Sequence, residues 1–152
     1  MSGLDLETIA KGLAGVIADG LPGMNAYWYP PMAPQYPNVM VIPAPDFVTY
    51  RETFGVAGQV RMSFVLRVQV TSIDPESATS AMYTLLSAGI DEGSIFDVAE
   101  AIATGERSPT WGGTVETGAL LSASSPAWVT NDNGVDVLEA RITAVAYRKK
   151  GA

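Results

Sequence analysis

The chain has 152 residues, of which 47% are hydrophobic and only 16% charged, with no histidine, no cysteine and a net charge of −7. This length suits one domain that buries its own core without disulfides. The missing histidine and cysteine exclude the commonest general base, the commonest nucleophilic thiol and the usual zinc ligands, and the acidic balance argues against a conventional nucleic-acid binder.

The chain opens with a predicted amphipathic helix. Residues 4–19 repeat apolar side chains at helical spacing, and Ser2 or Asp5 provides the N-cap. Residues 25–29 then predict a short strand. Four prolines fall within residues 30–37, so this stretch is predicted to be a loop or a sheet edge.

Three extended segments follow the proline-rich loop. Residues 39–42 predict a short apolar strand that is cut by Pro43 and Pro45, and residues 47–54 look extended again. Residues 60–71 predict the clearest strand, because apolar and polar side chains alternate along it. Its core positions are Met62, Phe64, Leu66, Val68 and Val70. The polar side of this strand is expected to meet water or a partner.

The centre of the chain predicts two helices. Asp74 is followed by a proline and an acid, which is a strong helix start, and Gly89 ends this helix. Ser94 and Asp97 resemble a capping box, which predicts a second helix closed by Gly105. Both segments carry an apolar stripe for burial against a sheet.

The last third of the chain predicts two strands and a tight turn. Residues 115–123 form the first strand, after which Pro126 and Trp128 interrupt the pattern. Residues 131–134 read Asn-Asp-Asn-Gly, the best turn signal in the chain. Residues 135–147 alternate again and predict the final strand.

This order of elements predicts an α+β fold in one domain, residues 1–152. A single mostly antiparallel sheet carries the N-terminal helix and the two central helices on one face. Residues 47–60 form a possible extended arm, and residues 148–152 form a short basic tail. The tail is a solvated terminus by default, with a salt-sensitive contact to an acidic neighbour or DNA as the alternative.

No pattern in the chain predicts chemistry. The glycines at 112–113 and 55–58 match neither a dinucleotide nor a P-loop fingerprint and predict turns. Residues 131–134 resemble part of a calcium loop, but Ala140 stands where the closing Glu is required. We therefore predict no catalytic, cofactor-binding or metal-binding residues, and no enzymatic activity.

The aromatic run Tyr27-Trp28-Tyr29, flanked by prolines, is the least ordinary feature of the chain. Tyr27 and Tyr29 are expected to share one strand face and Trp28 the other. Tyrosine and tryptophan are enriched at protein interfaces, so partner contact is one interpretation. The alternative is a strand whose rings lie half in the core. Low charge likewise indicates either a covered surface or a large core.

The chain resembles the tail terminator, or tail completion, proteins of long-tailed bacteriophages, especially those of actinobacterial phages. The likeness covers nearly the whole chain as an order of elements. It is carried by the opening helix with its Leu-Pro-Gly end at 21–23, the aromatic strand at 26–30, the proline-bounded segment at 39–43, the Val-Thr-Tyr-Arg-Glu-Thr-Phe-Gly segment at 48–55, Ile-Asp at 73–74 before two helices, and the closing hairpin.

The resemblance implies a structural virion protein without cofactor. Such proteins form a hexameric ring that caps the tail tube, ends tube polymerisation and joins the tail to the head connector. DNA passes through the bore without specific binding, and the acidic balance suits a negatively lined bore. The location implied is the tail or neck of the virion, reached from the host cytoplasm.

Assembly contacts are expected at the aromatic run, at the arm and at two further tryptophans. The expected residues are Tyr27, Trp28, Tyr29, Tyr50, Arg51, Phe54, Gly55, Val56, Gly58, Trp111 and Trp128. The alternatives are another neck component, such as a head–tail connector or stopper, and a small-molecule-binding domain. No apolar run approaches the roughly 20 residues of a membrane span, and no signal peptide is evident, so we expect an intracellular product.

Overall fold

The helices and strands of the computed structural model follow the predicted order closely. Residues are described in the ranges 5–50, 58–71, 74–88, 93–99, 110–130 and 134–149. The helices are α1 (Leu6–Gly20), α2 (Pro75–Leu86) and α3 (Ile95–Ala99). The strands are β1 (Asn25–Tyr27), β2 (Asn38–Thr49), β3 (Gln59–Val70), β4 (Thr117–Ala123), β5 (Ala127–Thr130) and β6 (Asp136–Lys149).

The strands form one mixed sheet of six strands in the order β1-β2-β3-β6-β4, and β5 also pairs with β6. Only the β1–β2 pair is parallel among these strands, whereas β3 is antiparallel to both β2 and β6. The strands β4 and β5 lie antiparallel to successive parts of β6. The predicted α+β fold with a mostly antiparallel sheet is therefore confirmed.

One face of the sheet, here called the core face, carries the hydrophobic core. Phe64 on β3 lies opposite Ala144 on β6, and Leu66 lies opposite Ile142, so their apolar positions share a face. Buried residues of α1, α2 and α3 belong to the same cluster. The helices thus pack on one face, as predicted. Alternate strand positions form the other side, here called the open face, on which no helix of the described ranges packs.

Two aspartates cap the longer helices. The Asp5 carboxylate accepts hydrogen bonds from the backbone N–H and the hydroxyl of Thr8. The Asp74 carboxylate accepts from the hydroxyl of Ser77 at 2.8 Å and from the backbone N–H of Glu76. Hydrogen bonds to the ionised form hold the pKa of both aspartates below the ordinary value. Asp5, rather than Ser2, is therefore the N-cap of α1.

The prediction that Pro43 and Pro45 cut a strand is wrong. The strand β2 continues through both prolines to Thr49, with a register shift against β3 between Pro43 and Val48. Because β1 pairs only with residues 38–40, the rest of β2 has no strand on its outer side within the described ranges. Proline lacks an N–H, and an outer edge is where this loss costs no ladder hydrogen bond.

The predicted interruption at Pro126 is confirmed, since β4 ends at Ala123 and β5 begins at Ala127, but the part of the prediction that concerned Trp128 is wrong, because Trp128 lies within β5. In addition, β1 ends at Tyr27, two residues earlier than predicted. The Ser94 cap of α3 is confirmed, since its hydroxyl accepts from the backbone N–H of Asp97 at 3.3 Å. The predicted helix ends at Gly89 and Gly105 lie outside the described residues, as do most of the arm tip and of the basic tail.

Candidate functional site

Tyr27, Trp28 and Tyr29 form one ring cluster, here called the aromatic corner. The Tyr29 ring lies edge-on to both neighbours, with centroids 6.4 Å from Tyr27 and 5.2 Å from Trp28. The predicted separation of Trp28 from the tyrosines therefore fails, because β1 ends at Tyr27 and strand alternation stops there. Trp28 is 37% and Tyr29 49% exposed, so the corner presents apolar surface to solvent.

The aromatic corner is held by contacts from both sides. The Tyr27 hydroxyl accepts a hydrogen bond from the backbone N–H of Gln35, which folds the proline-rich loop against the ring. The Lys11 ammonium on α1 lies 4.9 Å from the centre of a Trp28 ring and pairs with Glu7 at 3.1 Å. The ring face attracts the cation, and this attraction restrains the Trp28 side chain. The corner is thus an ordered surface.

A second exposed apolar surface lies at the opposite edge of the sheet, on β4 and β5. Leu121 is 61% exposed, Trp128 46% and Val129 37%, and all four residues of β5 are exposed. Neither strand has a partner on its outer side among the described residues. An uncovered edge with apolar side chains is a site for pairing with another chain. We call this surface the β5 edge.

Of the other expected contact residues, those that the structure describes do not join either surface. Tyr50 is 64% exposed at the end of β2. Gly58 is buried directly before β3. Trp111 lies in the core with 2% exposure, and its ring centroid is 6.1 Å from that of Phe64, so a partner does not reach it in this arrangement. The remaining expected residues lie outside the described ranges, namely Arg51, Phe54, Gly55 and Val56.

The open face carries an ion-pair cluster that the sequence analysis did not identify. Glu139 on β6 lies 3.7 Å from Nε of Arg67 and 3.5 Å from Nε of Arg141, and it accepts a hydrogen bond from Gln69 at 2.9 Å. Arg67 and Arg141 are direct cross-strand neighbours. The alternation in β3 predicted its polar face, but the meeting of these arginines with Glu139 required the register with β6.

Polar atoms of the open face remain without hydrogen-bond partners among the described residues. They are Oδ1 of Asn38, Nε of Arg67 and Oε1 of Gln69. Asn38 is 0% and Gln69 3% exposed, and the two are direct cross-strand neighbours. Buried polar groups in folded proteins are nearly always satisfied by protein or ordered water.

A shallow groove of about 600 Å³ runs along the outward side of α2, here called the α2 groove. It is lined by Pro75, Glu76, Thr79, Ser80, Tyr83, Thr84 and Ser87. Tyr83 is 61% exposed, and the Glu76 side chain is exposed near the start of the helix. No lysine or arginine lies between Pro75 and Leu86. This side of the helix layer therefore combines an acid with an exposed aromatic ring.

The described residues contain no group of three or more acids that could hold a metal ion. None of the described helices combines the length and the apolarity needed to cross a bilayer.

The predicted turn at Gly112 and Gly113 is confirmed, since both residues have positive φ angles of 75° and 83°.

Comparison with known proteins gives no family assignment. No protein-family description matches the chain, and no curated protein matches its sequence significantly.

Proposed function

We propose that this chain is a tail terminator subunit of a long-tailed bacteriophage. Copies of the chain form a ring that caps the tail tube, ends tube polymerisation and joins the tail to the head connector. The order of elements that carries the resemblance supports this function, and so does the α+β fold. The protein acts by binding neighbours and catalyses no reaction.

The observation that carries the proposal is the placement of exposed apolar surface at both edges of the sheet. Trp28 and Tyr29 follow the edge strand β1, whereas Trp128 lies on β5 at the other edge. The two surfaces differ in shape and sequence. Unlike surfaces on one subunit favour head-to-tail association, which closes into a ring when the rotation allows it. Aromatic anchors of this kind supply much of the binding energy of an interface.

The remaining features of the proposal come from the family that the chain resembles. The ring contains six copies, and its partners are the major tail tube protein and the head–tail connector or stopper protein. DNA passes through the bore without specific binding. The assembled protein resides in the tail or neck of the virion after synthesis in the host cytoplasm.

Solution mass tests the proposal most directly. We expect light scattering to report a multiple of the 16.0 kDa chain, either for the protein alone or after mixing with purified tube protein. We also expect electron microscopy to show shorter tubes when the protein is added during tube polymerisation. A protein that stays monomeric and leaves tube length unchanged would refute the proposed function.

Loss of the gene separates a terminator from another neck component. A phage without its terminator is expected to build overlong tubes. A phage without a connector or stopper is expected to make tails of normal length that do not join heads. The second phenotype would assign the chain to the neck but not to the tube end.

A further inference from the structure

We infer that neighbouring subunits of the ring meet through the open face of one copy and the α2 groove of the next. This inference rests on the proposed function and adds a second contact between neighbouring subunits to the one proposed at the sheet edges. The occupant of the open face is thus a second copy of this chain, which presents the outward side of its helix layer.

The composition of the open face fits a protein partner. One row across the sheet joins Tyr27, Met40, Arg67 and Arg141 as direct neighbours. Met40 is only 4% exposed, but tyrosine and arginine are enriched in interfaces, whereas lysine and acids are depleted. The adjacent row carries one acid, Glu139, and its carboxylate already pairs with both arginines.

Charge identifies the surface that matches this face. Two arginines share a single carboxylate, so the cluster of Arg67, Arg141 and Glu139 has an excess positive charge in a chain of net charge −7. The α2 groove has no basic residue within its helix and presents Glu76 and Tyr83. A carboxylate and an aromatic ring are the two groups to which a guanidinium binds best.

The proposed function favours a covered position for this face. Arginines exposed in the bore would bind the phosphates of passing DNA and retard it. A neighbour that covers Arg141, which is 57% exposed at its side chain, removes this hindrance. In this arrangement the helix layer of one subunit packs on the sheet of the next. Such a head-to-tail contact is the kind that closes a ring.

Because the chain has no cysteine, engineered thiols test this geometry without interference. The test protein combines Ser80→Cys in the α2 groove with Thr143→Cys on the open face, both at exposed positions. The control protein combines Thr143→Cys with Gly15→Cys, an exposed position on α1. Mild oxidation of assembled rings should link the test pair into covalent dimers, trimers and larger species. The control pair and each single variant should give no such ladder.

A charge exchange tests whether Arg141 and Glu76 of neighbouring copies attract each other. Arg141→Glu should raise the concentration for half-assembly about tenfold or more, because like charges then face each other. Glu76→Arg should do the same, and mixing the two variants should restore assembly, since each then complements the other. Melting temperatures of the single variants, measured beside wild type, check that both still fold. Failure of the mixture to assemble would overturn the inference.

The outcomes separate this interface from the proposed function. Rings that form but give no ladder with the test pair overturn the inference and leave the ring intact. A protein that forms no oligomer, alone or with tube protein, refutes both. If the wild type instead binds a short DNA duplex and Arg141→Glu abolishes that binding, the open face takes phosphates and the inference is wrong.

Discussion

Two glycines on α1 provide a matched test of how this helix is seated. A Cβ atom at Gly12 would lie 2.5 Å from the backbone oxygen of Trp111 and 2.7 Å from the methyl group of Thr114. A Cβ atom at Gly15 would meet nothing within 4 Å. Both positions are helical, so alanine brings the same gain in helix propensity, about 0.5–1 kcal/mol.

The two alanine variants should therefore differ by the steric term alone. Overpacking against a well-packed interior costs about 1–3 kcal/mol. The backbone oxygen of Trp111 cannot relieve the contact by a change of side-chain rotamer. For a chain of this size each kcal/mol shifts Tm by about 2–4 °C. Gly15→Ala should melt slightly above wild type, and Gly12→Ala should melt roughly 2–12 °C below Gly15→Ala.

Thermal unfolding followed by circular dichroism measures both variants, and urea titration provides the free energies. Equal melting temperatures would refute the reasoning, because α1 would then not approach Trp111 and Thr114 as closely as the structure indicates. A loss of stability in Gly15→Ala would contradict the exposed, open surroundings of that position. Because both variants gain the same helix propensity, the difference between their melting temperatures reports the steric clash at Gly12 alone.

Phe64→Ala removes a ring that is 1% exposed, so it should cost about 3–5 kcal/mol in urea unfolding, whereas Val65→Ala on the open face should cost far less. Asp74→Ala should lower Tm at neutral pH, because the hydroxyl of Ser77 and a backbone N–H stabilise the ionised carboxylate and lower its pKa. That stabilisation is present above pH 3.8 and is lost as pH falls through the lower folded pKa, so melting curves of variant and wild type should converge in acid. Trp28→Ser should lower Tm modestly, because the contacts with Tyr29 and Lys11 are lost, and should weaken assembly about tenfold or more in light scattering. Unchanged assembly would exclude the aromatic corner from the interface.

Period-two patterns predicted the centre of the sheet well. In β3 and β6 every second side chain is buried on the core face, because helices cover that face and leave the other one open. The helix starts at Asp5 and Asp74 were also predictable, since a capping carboxylate acts on backbone groups within three residues. Strand alternation and helix caps depend on residues that are close in the chain, so both can be predicted from a single sequence.

The sheet edges were predicted poorly for a physical reason. Proline excludes a central strand but not an edge strand, and only the pairing partner distinguishes the two, as for Pro43 and Pro45 in β2. The exposed strand β5 lacks alternation because neither of its faces is buried. The parallel pairing of β1 with β2 joins segments that a loop separates, and no local pattern reports it.

The candidate site was predictable only in part. The aromatic corner was identified from composition, but its ring cluster depends on the end of β1 at Tyr27. Trp111 was expected at a contact because tryptophan is enriched at interfaces, yet it lies in the core beside Phe64. The Arg67–Glu139–Arg141 cluster joins residues about seventy positions apart through the β3–β6 register, which sequence spacing does not encode.

The position of β6 within the sheet determines when the sheet can be completed during synthesis. This strand joins β3 to β4 and β5, yet it is made after all of them. A ribosome-bound chain that lacks residues 136–149 leaves one side of β3 unpaired and gives β4 and β5 no strand to join. The β1–β2–β3 part of the sheet can form earlier, but the sheet is complete only after β6 has emerged.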